Sequence, residues 1–107
     1  AILGSTGSIG SQALEVIAES GGVLVPVLLT SGRRVAPILE QAKDFRPERL
    51  VVIDPDETHL LEGAGTAEIS VMAGEVAQLE LIAEMDLDLV LNGIPGAAGL
   101  RASLATL

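Results

Sequence analysis

Short apolar runs alternate along the chain with longer segments in which apolar residues recur every three or four positions. The runs predict β-strands, and the amphipathic segments predict helices between them. The predicted strands are Ala1–Leu3, Val23–Leu29, Leu50–Ile53, Ile69–Met72 and Leu87–Leu91. The predicted helices span about residues 8–20, 35–45, 74–84 and 98–107, with a shorter one that Asp54 would cap and Pro55 would open.

This alternation, with short connections, is typical of right-handed βαβ units. The sequence therefore predicts one α/β domain over residues 1–107, built on a Rossmann-like, doubly wound parallel sheet. Right-handed crossovers that run outward and then return give the strand order 4-3-2-1-5, numbered along the chain. A ligand of such a sheet lies at the carboxyl ends of the strands, where the strand order reverses. The short first strand also suggests a domain truncated at its start.

Two predicted loops flank that ligand position. The first carries Gly4, Gly7 and Gly10 between a strand and a helix N-terminus. Glycine permits positive φ and leaves no Cβ between backbone and ligand, and a helix N-terminus offers free N–H groups to an anion. The spacing G-x-x-G-x-x-G differs from the commoner G-x-G-x-x-G, so a close strand–helix crossing without a ligand is the alternative. The second loop begins at Asn92 and continues through Gly93 and Ile94; an ordinary turn is its alternative.

Composition narrows the possible partners. The chain is 49% hydrophobic with one aromatic residue, Phe45, which suits a buried parallel sheet. A net charge of −9 argues against a nucleic-acid partner, since phosphate backbones are bound mainly by lysine and arginine. The absence of cysteine excludes disulfides and thiolate metal sites. No apolar stretch reaches the length of a membrane span, and we expect a soluble, intracellular protein that binds no membrane.

The turn after the second predicted strand favours one cofactor class. An acidic residue about 20 positions after the glycines would bind a free ribose, whereas an arginine there accommodates a 2′-phosphate. No acid occurs between Glu19 and Glu40, and residues 30–34 read "TSGRR". A guanidinium binds phosphate oxygens in a bidentate fork. Arg33 and Arg34 therefore favour NADP(H) over NAD(H), with a solvated arginine pair as the alternative.

Other polar residues predict no catalytic and no metal-binding role. The only histidine, His59, has no partner at metal-ligand spacing. Asp86 and Asp88 would share one face at the start of a strand, away from the ligand end. The serines of the first loop do not form a G-x-S-x-G elbow, which argues against a hydrolase.

Four collinear segments are similar to the family of 1-deoxy-D-xylulose 5-phosphate reductoisomerases. They read "ILGSTGSIG" at 2–10, "SGRR" at 31–34, "FRPERLVV" at 45–52 and "NGIPGAAGLRASLATL" at 92–107. The resemblance covers nearly the whole chain. It implies an enzyme that reduces and rearranges 1-deoxy-D-xylulose 5-phosphate to 2-C-methyl-D-erythritol 4-phosphate with NADPH and a divalent metal, the committed step of the non-mevalonate isoprenoid route.

The resemblance also assigns roles to residues. Thr6, Gly7, Ser8 and Ile9 would hold the cofactor pyrophosphate, and Gly32, Arg33 and Arg34 would hold the 2′-phosphate. Gly4, Gly10, Asn92, Gly93 and Ile94 complete the expected cofactor-binding set. Two residues depart from the family pattern: Arg34 stands where an asparagine is common, and Pro95 lacks a backbone donor near the nicotinamide.

The family's metal ligands, substrate-phosphate site and mobile flap lie outside the matched motifs. The resemblance thus implies an N-terminal NADPH-binding domain, truncated at both ends and inactive alone, from a homodimeric enzyme of the bacterial cytoplasm or a plant plastid. Two alternatives remain at this point: an extended short-chain dehydrogenase, which would need a tyrosine that the chain lacks, and a non-catalytic nucleotide-binding module.

Overall fold

Nine elements alternate between strand and helix in the structure, a computed structural model that describes residues 1–62, 64–65 and 69–94. The strands are β1 (Ile2–Leu3), β2 (Leu28–Ser31), β3 (Arg49–Val52), β4 (Ser70–Ala73) and β5 (Leu91–Asn92). The helices are α1 (Ser8–Glu19), α2 (Val35–Phe45), α3 (Thr58–Leu61) and α4 (Glu75–Glu84). The predicted helix at 98–107 lies outside the described residues.

The five strands form one parallel sheet in the order β4-β3-β2-β1-β5, which confirms the predicted order. β1 lies between β2 and β5, so that Ile2 is level with Leu29 on one side and with Leu91 on the other. The chain leaves β1 toward β2 and later returns to β5. The carboxyl end of β1 is therefore the point where the strand order reverses.

Helices cover both faces of the sheet. Along β2, Leu29 packs on the face of α1 and α2, whereas Leu28 packs on the face of α4, because successive strand residues point to opposite sides. The core on the α1 and α2 face contains Ile2, Leu14, Leu29, Val35, Ile38, Ala42, Leu50 and Val52. The core on the α4 face contains Leu3, Leu28, Val51, Leu81 and Ile82. Because both faces are covered, all four residues of β2 and the last three residues of β3 are buried.

The ends of the first two helices follow local signals. Gly21 and Gly22, with φ of 66° and 92°, come directly after the α1 cap. These left-handed conformations favour glycine and stop the helix. α2 ends at Arg46, whose φ of 48° is also left-handed, and Pro47 follows. No helix of the described ranges is long and apolar enough to cross a membrane.

The second strand begins later than predicted. β2 starts at Leu28, and Val23 and Val25 are 84% and 67% exposed. Pro26 has no N–H for a ladder, and the registers pair β2 with β1 and β3 only from Leu28 onward. The predicted range Val23–Leu29 is therefore wrong at its start, and Thr30 and Ser31, expected in a turn, are buried strand residues.

Two further expectations are corrected. β5 is limited to Leu91–Asn92, so Asp86 and Asp88 precede the strand and do not share a strand face. The segment after β3 does not open a helix at Asp54 and Pro55, since α3 begins only at Thr58. The two aspartates of this segment, Asp54 and Asp56, have other partners, described below.

Candidate cofactor-binding site

The glycine turn leaves β1 and bonds to the end of β2. Gly4 has a φ of 74°, a conformation that favours glycine. Its N–H donates to Thr30 Oγ1 at 3.2 Å, and the N–H of Ser5 donates to the Thr30 carbonyl at 2.8 Å. The Gly7 N–H then turns back to the Gly4 carbonyl at 3.1 Å. These bonds fix the turn against the neighbouring strand.

The first turn of α1 offers backbone donors to an anion. Its first helical bond runs from the Ser11 N–H to the Gly7 carbonyl at 2.9 Å. Residues 8–10 precede that bond, and N–H groups at these positions have no helical carbonyl to reach. Gly7, Ser8 and Ile9 are exposed, and the first turn carries no acidic side chain. The positive end of the helix dipole is thus open to a phosphate.

Glycine is required where β1, α1 and the loop after β5 meet. A Cβ added at Gly10 would lie 2.3 Å from the Gly4 carbonyl oxygen, which is far too close. A Cβ at Gly93 would lie 3.2 Å from the Leu3 carbonyl oxygen, to which the Gly93 N–H already donates at 2.9 Å. The close packing brings both predicted loops to the same end of β1.

A buried serine ties the glycine turn to α2. Ser5 donates through Oγ to Gln41 Oε1 at 2.7 Å, and Gln41 Nε2 donates to the Ser5 carbonyl at 2.8 Å. Ser11 Oγ also donates to that carbonyl at 3.3 Å. These hydrogen bonds could not be predicted from the sequence, because Gln41 lies 36 residues away from Ser5 in the chain.

The loop at 32–34 is supported by the segment that follows β3. The Asp54 N–H donates to the Gly32 carbonyl at 2.7 Å, and the Asp56 N–H donates to the Arg33 carbonyl at 3.0 Å. Asp56 Oδ1 accepts from the Val35 N–H at 3.2 Å. Asp56 therefore caps α2 rather than the helix that follows it in sequence.

The two arginines differ in their partners. Arg33 Nη1 pairs with Asp54 Oδ2 at 2.6 Å, and both side chains are mostly exposed. Arg34 Nη1 donates to the Thr6 carbonyl at 3.3 Å. Thr6 Oγ1 also lies 3.2 Å from Ser31 Oγ. The arginine loop and the glycine turn are thus in direct contact.

These segments surround a cleft of about 540 Å³ at the carboxyl end of the sheet, a size typical of ligand sites. Eight of the predicted residues line it: Gly4, Thr6, Gly7, Gly32, Arg33, Arg34, Gly93 and Ile94. Ser8 and Ile9 follow at the open end of α1, and Gly10 is buried behind the turn. Asn92 does not line the cleft; its Oδ1 accepts from the Ile94 N–H at 3.0 Å and shapes the loop.

Further lining residues were missing from the sequence prediction. Ile53 and Asp54 come from the end of β3, and Glu75 and Gln78 come from the first turn of α4. In the sequence, the one indication that these residues lie at the cleft is that they follow a predicted strand or begin a predicted helix. Nothing in the local sequence shows that α4 lies over the same end of the sheet.

Sequence comparison places the chain among known proteins. Residues 1–107 match the protein family described as 1-deoxy-D-xylulose 5-phosphate reductoisomerase. The reductoisomerase of Phocaeicola vulgatus is 39% identical over 105 residues, which are 97% of this chain and 28% of that protein. The enzyme of Helicobacter pylori strain G27 is 42% identical over 106 residues, 99% of this chain and 28% of that protein.

Solved structures agree with the sequence relatives. The reductoisomerase from Zymomonas mobilis in complex with NADPH superposes with a TM-score of 0.87 at 33% identity, over 98% of this chain and 28% of that one. A reductoisomerase in complex with magnesium gives 0.86 at 32% identity, over 98% and 27%. The chain thus spans a little over a quarter of the length of its relatives. It belongs to the 1-deoxy-D-xylulose 5-phosphate reductoisomerase family.

Proposed function

We propose that residues 1–107 are the NADPH-binding domain of an enzyme that converts 1-deoxy-D-xylulose 5-phosphate to 2-C-methyl-D-erythritol 4-phosphate. One observation carries this proposal: the open N-terminus of α1 and the arginine loop meet on one cleft, with Arg34 Nη1 3.3 Å from the Thr6 carbonyl. Two anion-binding features in contact suit a ligand with a pyrophosphate and a separate phosphate. Family membership and the NADPH complex of the Zymomonas mobilis relative support the same ligand.

Each part of the cofactor has a matching segment. The pyrophosphate would lie against Thr6, Gly7, Ser8 and Ile9, at the first turn of α1, where N–H groups before Ser11 lack a helical acceptor, while Gly4 and Gly10 keep side chains out of the turn. The 2′-phosphate would lie at Gly32, Arg33 and Arg34. The nicotinamide half would extend toward Asn92, Gly93 and Ile94, since this loop lies on the other side of β1.

Arg33 must exchange its present partner for the phosphate. An exposed ion pair such as Arg33–Asp54 is worth roughly 0–1 kcal/mol. A hydrogen bond to a charged group contributes about 1.5–3 kcal/mol. The phosphate is therefore the stronger partner, although Asp54 lowers the gain.

NADPH supplies the hydride when it is bound, and the residues of this chain bind and orient it. We place the divalent metal and the substrate outside these 107 residues. The described ranges contain no group of three or more His, Asp or Glu side chains that could hold a metal. Following the family resemblance, we further propose a homodimer that acts in the cytoplasm, or in the plastid of a plant.

The test is a titration of the protein that carries this chain with NADPH and with NADH. NADPH should bind about 10- to 150-fold more tightly, the equivalent of 1.5–3 kcal/mol. Arg33→Ala should weaken NADPH binding and leave NADH binding nearly unchanged, because only NADPH carries the phosphate. Arg34→Ala should cost less, since Arg34 stands where the family commonly has an asparagine.

Lys43→Ala is the matched control. Lys43 is an exposed cation in the last turn of α2, paired with Glu40 rather than lining the cleft. Its removal changes the net charge by the same amount and should leave the NADPH preference intact. Equal affinity for the two cofactors in the unmodified protein would contradict the assignment of the arginines. Tighter binding of NADH would indicate that Asp54 accepts a free ribose hydroxyl instead.

A further inference from the structure

One buried polar atom in the cleft has no partner within the part of the chain that the structure describes. Gln78 is 2% exposed and lines the cleft from α4, and its Oε1 accepts no hydrogen bond from any described residue. A buried carbonyl oxygen without a donor costs free energy unless a ligand or water completes it. The feature therefore points to a missing donor.

The helix pattern predicts an apolar residue at this position. Leu81 and Ile82, three and four residues later, are buried in the core on the α4 face. Residues at this spacing share one helix face, so position 78 continues the apolar stripe up to the cleft. Instead a glutamine stands at position 78, where the buried face of α4 borders the cleft. Its polar group is thus placed at the cleft wall and not in the middle of the core.

The proposed cofactor would bring its base to this wall. In NADPH the adenine is attached to the ribose carbon next to the one that carries the 2′-phosphate. With that phosphate at Arg33 and Arg34, the base must lie beside the end of β2. The end of β1 is taken by the glycine turn, which leaves the end of β3, with Ile53, and α4 above it.

We propose that Gln78 recognises the adenine base, an inference that rests on the proposed NADPH binding. Its carboxamide oxygen accepts a hydrogen bond from the 6-amino group, and its amide nitrogen donates to N7 of the ring. A glutamine amide pairs with the adenine edge in this way in other contexts. Rotation about the last side-chain bond turns either atom to the cleft. Ile53, half-buried at the same wall, provides an apolar surface for the ring.

The test compares NADPH with deamino-NADPH, in which hypoxanthine replaces adenine. The 6-amino donor becomes a carbonyl acceptor in this analogue and N7 stays an acceptor, so this edge of the base offers no donor to Gln78 Oε1. The unmodified protein should bind NADPH about 10-fold more tightly than the analogue, a difference of one hydrogen bond. Gln78→Met keeps the side-chain length without the amide. It should weaken NADPH binding about 10-fold and bind the two cofactors equally.

Gln12→Met is the matched control, because Gln12 lies on the exposed face of α1. This variant should keep both the affinity and the base preference. Melting temperatures of the cofactor-free proteins add a second readout. Gln78→Met should melt at the same or a higher temperature than the unmodified protein, since it removes an unpartnered buried polar group.

The outcomes separate the two proposals. If the unmodified protein showed no preference for NADPH over NADH, the proposed function would be overturned, and this inference with it. An intact preference over NADH, with equal binding of NADPH and deamino-NADPH, would overturn only the role of Gln78. So would a Gln78→Met variant that keeps full NADPH affinity, because the amide would then contribute nothing to binding of the base.

Discussion

Asp54 places a negative charge 2.6 Å from one of the two arginines of the cleft. Asp54→Asn should raise NADPH affinity about 1.4- to 5-fold, in keeping with the roughly 0.2–1 kcal/mol of an exposed pair. The gain should shrink in high salt, since both side chains are reachable by screening ions. Titrations at low and high ionic strength measure it. Asp44→Asn, an exposed acid on α2, controls for net charge, and a weaker NADPH complex in Asp54→Asn would show that the acid assists binding.

Gly10 tolerates no side chain at the crossing of β1 and α1. Gly10→Ala would place a Cβ 2.3 Å from the Gly4 carbonyl oxygen and force the backbone apart. We expect a loss of about 1–3 kcal/mol in the free energy of unfolding, as for other overpacked sites. At Gly32, a Cβ meets no described atom within 4 Å. Thermal melts should therefore show a much smaller change for Gly32→Ala, and equal melting of the two variants would contradict the close contact.

Residues whose roles are local could be predicted from the sequence. The structure places the predicted arginine pair and most of the predicted glycines at the cleft, and they were predicted because a turn and the proposed phosphate fork need these residue types at short spacing. Asp54, Ile53 and Gln78 were not, since they reach the cleft only through the packing of β3 and α4 around the end of β2. No short-range pattern encodes that arrangement.

At the scale of elements, the helices were predicted better than the strands. α1 and α2 are followed by Gly21 and by Arg46, where the backbone turns left-handed next to a glycine or a proline. The limits of a strand depend instead on which of its residues pair with a neighbouring strand. Val23 and Leu28 are equally apolar, but only Leu28 has a pairing partner in the sheet. The sequence predicts that Asp54 caps the helix that follows it. In the structure the neighbouring Asp56 instead caps α2, which precedes it in the chain, and this contact is not visible in the local sequence.

Asp56 allows a test of that long-range cap. Asp56→Ala should lower the free energy of unfolding by about 1 kcal/mol, the usual cost of losing a cap. For a domain of this size, that corresponds to a melting temperature roughly 4–8 °C lower. Asp56→Asn should retain most of the stability, because an asparagine oxygen also accepts the Val35 N–H. Glu57→Ala is the control: its side chain makes no cap bond to α3 among the described residues. Equal effects of the two alanine variants would contradict the role of Asp56.

At the scale of the whole molecule, the strand order followed from the handedness of the crossovers together with the doubly wound topology. Right-handed crossovers in such a sheet place β2, β3 and β4 on one side of β1 and the returning strand β5 on the other. This prediction needed the number and order of the elements and the expected fold class. It was therefore insensitive to errors of several residues in the strand limits.

The 107 residues by themselves should not turn over 1-deoxy-D-xylulose 5-phosphate with NADPH and Mg²⁺. Carboxylates must converge on one point to hold such a cation, and the described ranges bring no three potential ligands together. Oxidation of NADPH, followed by its absorbance, is the measurement. A longer protein that carries this sequence is the positive control. Metal-dependent turnover by the 107 residues alone would require a catalytic site within them.

The bonds between the loop at 32–34 and the segment at 54–56 have a consequence for how cofactor preference can change. Two backbone bonds and the Arg33–Asp54 ion pair join the segments, and Asp56 caps α2 directly after the loop, although residues 35–53 lie between them in the chain. If only the loop at 32–34 were replaced by that of an NADH-dependent relative, its backbone would not match the hydrogen-bonding groups of residues 54–56. Exchange of both segments together would preserve the fit. Redesign, and divergence between related enzymes, should therefore proceed most easily when these two stretches are inherited as a pair.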